Sequence, residues 1–415
     1  MPALVIVGAS LAGLRAAQGA RRGGWEGEIV VVGEERHMPY ARPPLSKELL
    51  TDAAQGVGDH LLPAELEATW LLGKRASGLD RRARRVALAG GEELAYERLV
   101  IATGCEPRRW AGPGAELAGV HTIRRAEDAL ALRAALAGAE RVAILGAGFI
   151  GCEVAASARA LGLEVSLFEL ASTPLPVLGP DLGERCAALH RAHGVVLRLG
   201  TGIASLRGAG GRVVAVELAD GTVLDADLVV VALGAVPGTG WLAESGLALE
   251  PGVRCDVTLT AVGDPDVLAA GDVAAWPYPL AGKGLIRVEH WTNAAEQGSL
   301  AGRNAVLAPA ARETFGGVPS FWSDQYGVRI QAVGLPALAQ RMHLIEESED
   351  GSRFVAVGER DGRAVGAVAF DGARRLPHYR RLIGEPLDLD ALLAAIADDR
   401  HALQNRPTTA TARTT

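Results

Sequence analysis

Short apolar runs, each closed by a glycine turn, recur along the first two thirds of the chain. Leu4-Val5-Ile6-Val7 is uniformly apolar and leads into Gly8-Ala9-Ser10-Leu11-Ala12-Gly13. An unbroken run of this kind suits a parallel strand buried on both faces, and the stretch to about Arg22 reads as a helix. A second strand is expected over Glu28 to Val32, ending in Gly33-Glu34-Glu35. The same order returns much later. Val142 to Leu145 leads into Gly146-Ala147-Gly148-Phe149-Ile150-Gly151, then a helix, a strand over Leu163 to Phe168, and Glu169. Farther on within each copy, Tyr96 to Ile101 with Ala102-Thr103-Gly104 parallels Asp225 to Val231 with Ala232-Leu233-Gly234. In both, a polar turn precedes an apolar strand that stops at a small Ala-x-Gly turn. Val267 to Ala270, closed by Gly271-Asp272, supplies one more such strand.

The pattern therefore predicts an α/β chain with two Rossmann-like dinucleotide-binding domains, the second inserted in the first. The first is expected over residues 1–110 and 240–317, the second over 111–239. From about Val318 the grammar changes. Strands at Arg329 to Val333, Arg353 to Val357 and Ala364 to Phe370 are separated by Asp-Gly turns. A C-terminal α+β domain over 318–400 follows, with an antiparallel sheet and helices near Pro377 to Leu382 and Leu389 to Ala397. The polar, Thr/Ala-rich residues 404–415 read as a frayed, disordered tail.

Composition narrows the function classes. The 415 residues are half apolar and carry a net charge of −7, which suits a globular protein and argues against nucleic acid as the main partner. No apolar run is long enough for a membrane span, and no basic leader precedes Leu4, so a cytoplasmic location is expected. Cys105, Cys152, Cys186 and Cys255 form no CxxC or CxxxxC pair. That fits a reducing compartment and removes the simplest dithiol chemistry. The nine histidines show no metal-ligand spacing.

Glycines at the turns let backbone approach a pyrophosphate, which the free N–H groups of a helix N-terminus then hold. The copy at Gly146, Gly148 and Gly151 is complete; in the first copy Ser10 stands at the middle position. Each copy has a carboxylate about 20 residues beyond its last glycine, where it can accept bonds from a ribose diol and repel a 2′-phosphate. Leu170-Ala171-Ser172-Thr173 after Glu169 offers no cation for such a phosphate, so NADH is favoured over NADPH.

One irregular run is more specific. Pro39-Tyr40-Ala41-Arg42-Pro43-Pro44-Leu45-Ser46-Lys47 closely resembles the PYxRPPLSK segment of FAD-dependent ferredoxin reductases, which serve bacterial cytochrome P450 and Rieske dioxygenase systems. They are putidaredoxin reductase-like members of the pyridine nucleotide-disulfide oxidoreductase superfamily, with a glutathione reductase-like fold and apoptosis-inducing factor as a relative. The resemblance continues through Gly146 to Glu153, Ala270-Gly271-Asp272, Glu289-His290-Trp291-Thr292-Asn293 and Phe321-Trp322-Ser323-Asp324-Gln325. It implies FAD in the first domain, with Gly8, Ser10, Leu11, Ala12 and Gly13 on the pyrophosphate and Glu34 or Glu35 on the ribose. Arg42, Lys47, Arg124, Ala76 at the adenine, Ala102, Thr103, Gly104, Gly271 and Asp272 complete the implied contacts. Glu289, His290, Trp291 and Trp322 would lie near the flavin ring, although core packing is the common fate of a tryptophan. NADH would occupy Gly146, Gly148, Phe149, Ile150, Gly151, Glu169 and Gly234. Lys47 and Glu153 resemble the family pair that meets beside the flavin.

The implied partner is an acidic iron–sulfur ferredoxin feeding a P450 or Rieske oxygenase, with the reductase a monomer or weak homodimer. Basic clusters at Arg374, Arg375, Arg380 and Arg381, and at Arg287 and Arg329, are candidate docking points, and read equally as solvated surface. Residues 41–45 lack the redox cysteine of peroxide- and CoA-disulfide-reducing relatives. A rubredoxin reductase, an NADH oxidase, or an apoptosis-inducing-factor-like flavin switch remain alternatives.

Overall fold

The computed structural model describes residues 3–282, 284–372 and 376–394. Its first sheet is all-parallel, in the order Val267–Ala269, Arg98–Ile101, Ala3–Val7, Glu28–Gly33, Thr69–Leu72. The second is also parallel, in the order Val196–Leu199, Glu164–Glu169, Arg141–Leu145, Leu228–Val231, Val120–Thr122. The central strands of both are buried on both faces, which explains why they read as unbroken apolar runs. Residues 105–107 and 235–237 pair antiparallel, so the chain leaves the first unit and re-enters it side by side.

The duplication goes deeper than the sequence pattern revealed. Each unit carries a three-stranded antiparallel meander: Ala76–Asp80, Arg85–Leu88 and Glu93–Ala95 in the first, Ile203–Ala209, Arg212–Leu218 and Val223–Asp225 in the second. A five-stranded antiparallel sheet follows, in the order Ser320–Gln325, Val328–Gly334, Arg363–Phe370, Phe354–Arg360, Arg341–Glu347. The helix Leu376–Leu382 packs on it. Residues 389–394 are helical; the expected continuation to Ala397 and the tail 404–415 lie outside the described residues. No helix among the described residues is long and apolar enough to cross a membrane.

Two helices carry the floor of the first cleft. Leu11–Arg22 packs against Trp291–Val306 so closely that a Cβ on Gly298 or Gly302 would fall 2.4 or 2.0 Å from the carbonyl oxygen of Ala12 or Ala16. Backbone contact of this kind fixes the N-terminus of one helix against that of the other.

Candidate functional site

Both glycine turns sit at the C-terminal ends of parallel strands, where open α/β sheets bind ligands. Gly8 has φ +122° and Gly146 φ +101°, and a Cβ on either would lie 2.1 or 2.4 Å from the carbonyl oxygen of Ala102 or Ala232. Gly13 and Gly151 are equally confined, by the carbonyls of Gly8 and Gly146. These four glycines are demanded by the fold. Gly148 is not: a Cβ there meets nothing within 4 Å. Space at the N-terminus of the helix Phe149–Ala160, whose first-turn N–H groups have no helical acceptor, is the shape and polarity a pyrophosphate needs.

At the equivalent place in the first unit stands Ser10, and its hydroxyl accepts from Arg42 Nε at 3.2 Å. Arg42 also donates to Glu35 at 2.6 Å and to the Arg124 carbonyl at 2.5 Å. Tyr40 donates to the other oxygen of Glu35. Burial alone would raise the Glu35 carboxyl, but Arg42 and the Tyr40 bond take it below the ordinary carboxylate range. Glu34 faces outward to Arg125 at 3.0 Å. Thus one acid of the pair is fully engaged within the protein, while the other remains at the rim.

Arg124 reaches across to Asp272 at 2.9 Å and to the Cys105 carbonyl at 3.0 Å. Beside Asp272, Gly271 donates its N–H to the buried Gln297 at 2.9 Å. Thr103 donates to the Gly238 carbonyl at 2.8 Å, and Gly104 turns with φ +67°. Leu11, Ala12, Ala76 and Ala102 are buried, so they can offer a ligand little beyond backbone and surface. The turn from strand to helix at Glu289-His290-Trp291 leaves His290 Nδ1 and both polar atoms of Asn293 buried without a partner. Burial pushes His290 down to about 4, against the pull of Asp272. A cleft lined by unsatisfied donors and acceptors beside a glycine turn fits a polar, ring-bearing dinucleotide such as FAD.

In the second unit, Glu169 accepts the N–H of Ala147 at 2.9 Å and of Ala171 at 3.0 Å. It therefore braces the glycine turn from the end of the second strand. Ile150 and Leu233 are exposed apolar residues beside it, and Gly234 turns with φ +83° into open space. Phe149 packs against Phe321 with ring centroids 4.6 Å apart, and Phe321 in turn lies 5.0 Å from His290. One aromatic stack thereby joins the two clefts and the C-terminal sheet.

Lys47 and Glu153 meet at 2.7 Å, both largely buried. Two residues that sequence reasoning quoted but gave no role complete the pair: Ser46 donates to Glu153 at 2.5 Å and Ser323 at 2.7 Å. Each spans more than a hundred positions, so only their adjacency to Lys47 and Trp322 could have flagged them. A carboxylate with three donors is well compensated for its burial. Trp322 is half-buried with the Arg329 guanidinium over its ring, 5.8 Å from the centroid, and Trp291 begins the helix Trp291–Val306 against the core of the first unit.

The basic clusters are partly spent. Arg287 donates to the Asp272 carbonyl and to Glu289, Arg329 pairs with Asp324, and Arg380 with Glu296. Arg374 and Arg375 lie outside the described residues. The four cysteines are buried and unpaired.

Residues 2–298 match the family model described as pyridine nucleotide-disulphide oxidoreductase, and residues 320–406 match the one described as reductase C-terminal. The chain is 35% identical over 401 residues to rhodocoxin reductase of Rhodococcus erythropolis, covering 95% of this chain and 92% of that one. It is 35% identical over 397 residues to the ferredoxin–NAD(+) reductase component of the biphenyl dioxygenase system of Paraburkholderia xenovorans, covering 94% of each. The solved covalent complex of putidaredoxin reductase with putidaredoxin is similar at TM-score 0.88 and 30% identity, over 97% of this chain and 99% of that one.

Proposed function

We propose that this chain, which belongs to the pyridine nucleotide-disulphide oxidoreductase family, is a flavoprotein reductase that takes hydride from NADH and passes single electrons to a small acidic iron–sulfur ferredoxin. The observation that carries the reading is the buried Lys47–Glu153 pair, which joins the proline segment after the first glycine turn to the helix after the second, in a chain whose four cysteines form no disulfide. A flavin bound in the first cleft supplies the conversion of a two-electron donor into one-electron deliveries.

This chain's residues supply the rest. The N–H groups at Leu11, Ala12 and Gly13 hold the FAD pyrophosphate, with Arg42 adding charge. Glu34, the less engaged acid, takes the adenosine ribose, and Asp272, fixed by Arg124, closes the opposite end. Gly146, Gly148 and Gly151 hold the NADH pyrophosphate. Glu169, with no cation in Leu170 to Thr173, disfavours a 2′-phosphate and so selects NADH. Lys47 sets a positive charge where negative charge develops during reduction, and Glu153 keeps that lysine in place. Trp322 and Trp291 exclude water between the cleft and the surface. The ferredoxin would feed a P450 or Rieske oxygenase; among the relatives, the Paraburkholderia protein is named as a component of a dioxygenase system.

Stopped-flow mixing tests this. The yellow holoprotein should bleach rapidly with NADH and slowly with NADPH, and cytochrome c should be reduced only when an iron–sulfur ferredoxin is added. A preparation that binds no flavin, or one that NADH reduces without onward transfer to any ferredoxin, overturns the proposal.

A further inference from the structure

Behind Glu153 a chain of buried polar side chains runs away from the cleft. Ser323 Oγ donates to Glu153 Oε1 at 2.7 Å, so its single hydrogen is used. It accepts from Gln325 Nε2 at 3.0 Å. That fixes the orientation of the amide and leaves Gln325 Oε1 buried with no hydrogen-bond partner. Another buried orphan is His190 Nε2, on the helix Pro180–Ala192, and Tyr326, the residue after Gln325, packs edge-on against that ring. The other ring nitrogen, Nδ1, lies 2.9 Å from the Tyr326 hydroxyl. Ser323 and His190 are fully buried, and Gln325 nearly so.

We propose that His190, as its Nε2–H tautomer, is a positioning residue for Glu153, acting through Gln325 and Ser323. The assignment follows from donor direction. Glu153 only accepts, so each link must donate toward it: Ser323 to Glu153, Gln325 to Ser323, His190 Nε2–H to Gln325. His190 Nδ1 is then an acceptor, and the Tyr326 hydroxyl is its donor. Bonds aligned in one sense polarise one another, so the carboxylate at the end receives a stronger donor than a lone serine would give. The backbone is committed to the arrangement. Tyr326 has φ +54° and Gly327 φ +80° in the two-residue turn between Ser320–Gln325 and Val328–Gly334, an unfavourable conformation for a bulky residue. Its ring is held there by stacking on His193 at 4.0 Å and edge-on against His190 at 5.2 Å.

The charged and titratable groups around the chain are few. Glu153 faces Lys47 and neighbours Cys152; His190 faces Tyr326 and His193, with Cys186 one turn before it; Tyr326 feels Cys152 and Arg159. Burial pushes His190 down to about 4, which keeps the ring neutral and able to accept at Nδ1. Because Glu153 and His190 belong to the inserted unit and Ser323, Gln325 and Tyr326 to the C-terminal sheet, the chain crosses that boundary twice.

The kinetic consequence rests on the function proposed above; the tautomer does not. Nitrogen-15 NMR of histidine-labelled holoprotein should show His190 neutral with its proton on Nε2. In stopped flow, His190→Leu, Gln325→Leu and Ser323→Ala should each raise by about one pH unit the pH below which NADH reduction of the flavin slows, a tenfold change in proton activity. His190→Gln, which restores a donor at the Nε2 position, should return the profile to that of the parent. An Nδ1–H tautomer, or a His190→Gln profile like that of His190→Leu, overturns the proposal. A holoprotein that NADH does not reduce defeats the function instead and leaves the tautomer to decide.

Discussion

The two nucleotide units start alike and diverge after their second strands. In the inserted unit, the chain beyond Glu169 forms a regular helix, Pro180–Ala192, before its next strand. In the first unit, the chain beyond Gly33 forms only short turns through Pro39, Pro43, Pro44 and Pro63. Prolines deny that segment the helical ladder and send it outward, so that Ser46 and Lys47 reach Glu153 in the other unit. The turns differ in parallel. Ser10 is tied to Arg42 from the same proline segment, whereas Gly148 has open space. On the function proposed above, the first copy suits a resident flavin and the second, with its open turn, suits a coenzyme that exchanges.

Three sets of substitutions break or sharpen that contrast. The largest effect is expected where the copies agree. Gly8→Ala and Gly146→Ala force an unfavourable backbone and a carbonyl clash, and each should lower stability by about 3 kcal/mol or more, read by thermal unfolding. Gly8→Ala should in addition lose flavin from the purified protein. Next come the histidines. His290 in the first cleft and His190 behind the second are both held near 4 by burial, against an ordinary value of 6.5. Their folded values are depressed, so above 6.5 neither costs stability, and between 6.5 and 4 the unfolded chain takes up protons that the folded one refuses. Stability should fall across that window by up to roughly 3 kcal/mol per histidine, and His290→Gln should flatten part of the slope in unfolding measured against pH. The smallest effects separate the copies. Gly148→Ser should leave stability unchanged and raise the KM for NADH about tenfold by intruding on the pyrophosphate. Ser10→Gly should cost about 1 kcal/mol through the lost Arg42 bond and barely alter flavin content. Equal responses at the two positions would erase the distinction.

Much of this was readable in the residues. Leu4 to Val7 and Val142 to Leu145 announce buried parallel strands because nothing polar interrupts them, and Gly8 and Gly146 mark turns no other residue can make. The antiparallel sheet was visible in Asp361-Gly362, whose φ values of +51° and +72° are those of a tight hairpin. The meanders were not, since strands such as Glu93–Ala95 are three residues long and half-exposed. The pairing of Lys47 with Glu153 came from likeness to a family rather than from spacing. Ser323 had only its adjacency to Trp322 to mark it, and His190 had nothing: a serine or histidine with a buried long-range partner has the same local sequence as one without.

The paired ribbon of Cys105–Pro107 with Ala235–Pro237 carries a practical corollary. Because departure and return are hydrogen-bonded neighbours, the intervening residues behave as a cassette plugged into a two-pin socket. Exchanging that cassette for one with another coenzyme preference would need joints at only two adjacent points, with almost no chain entropy at stake.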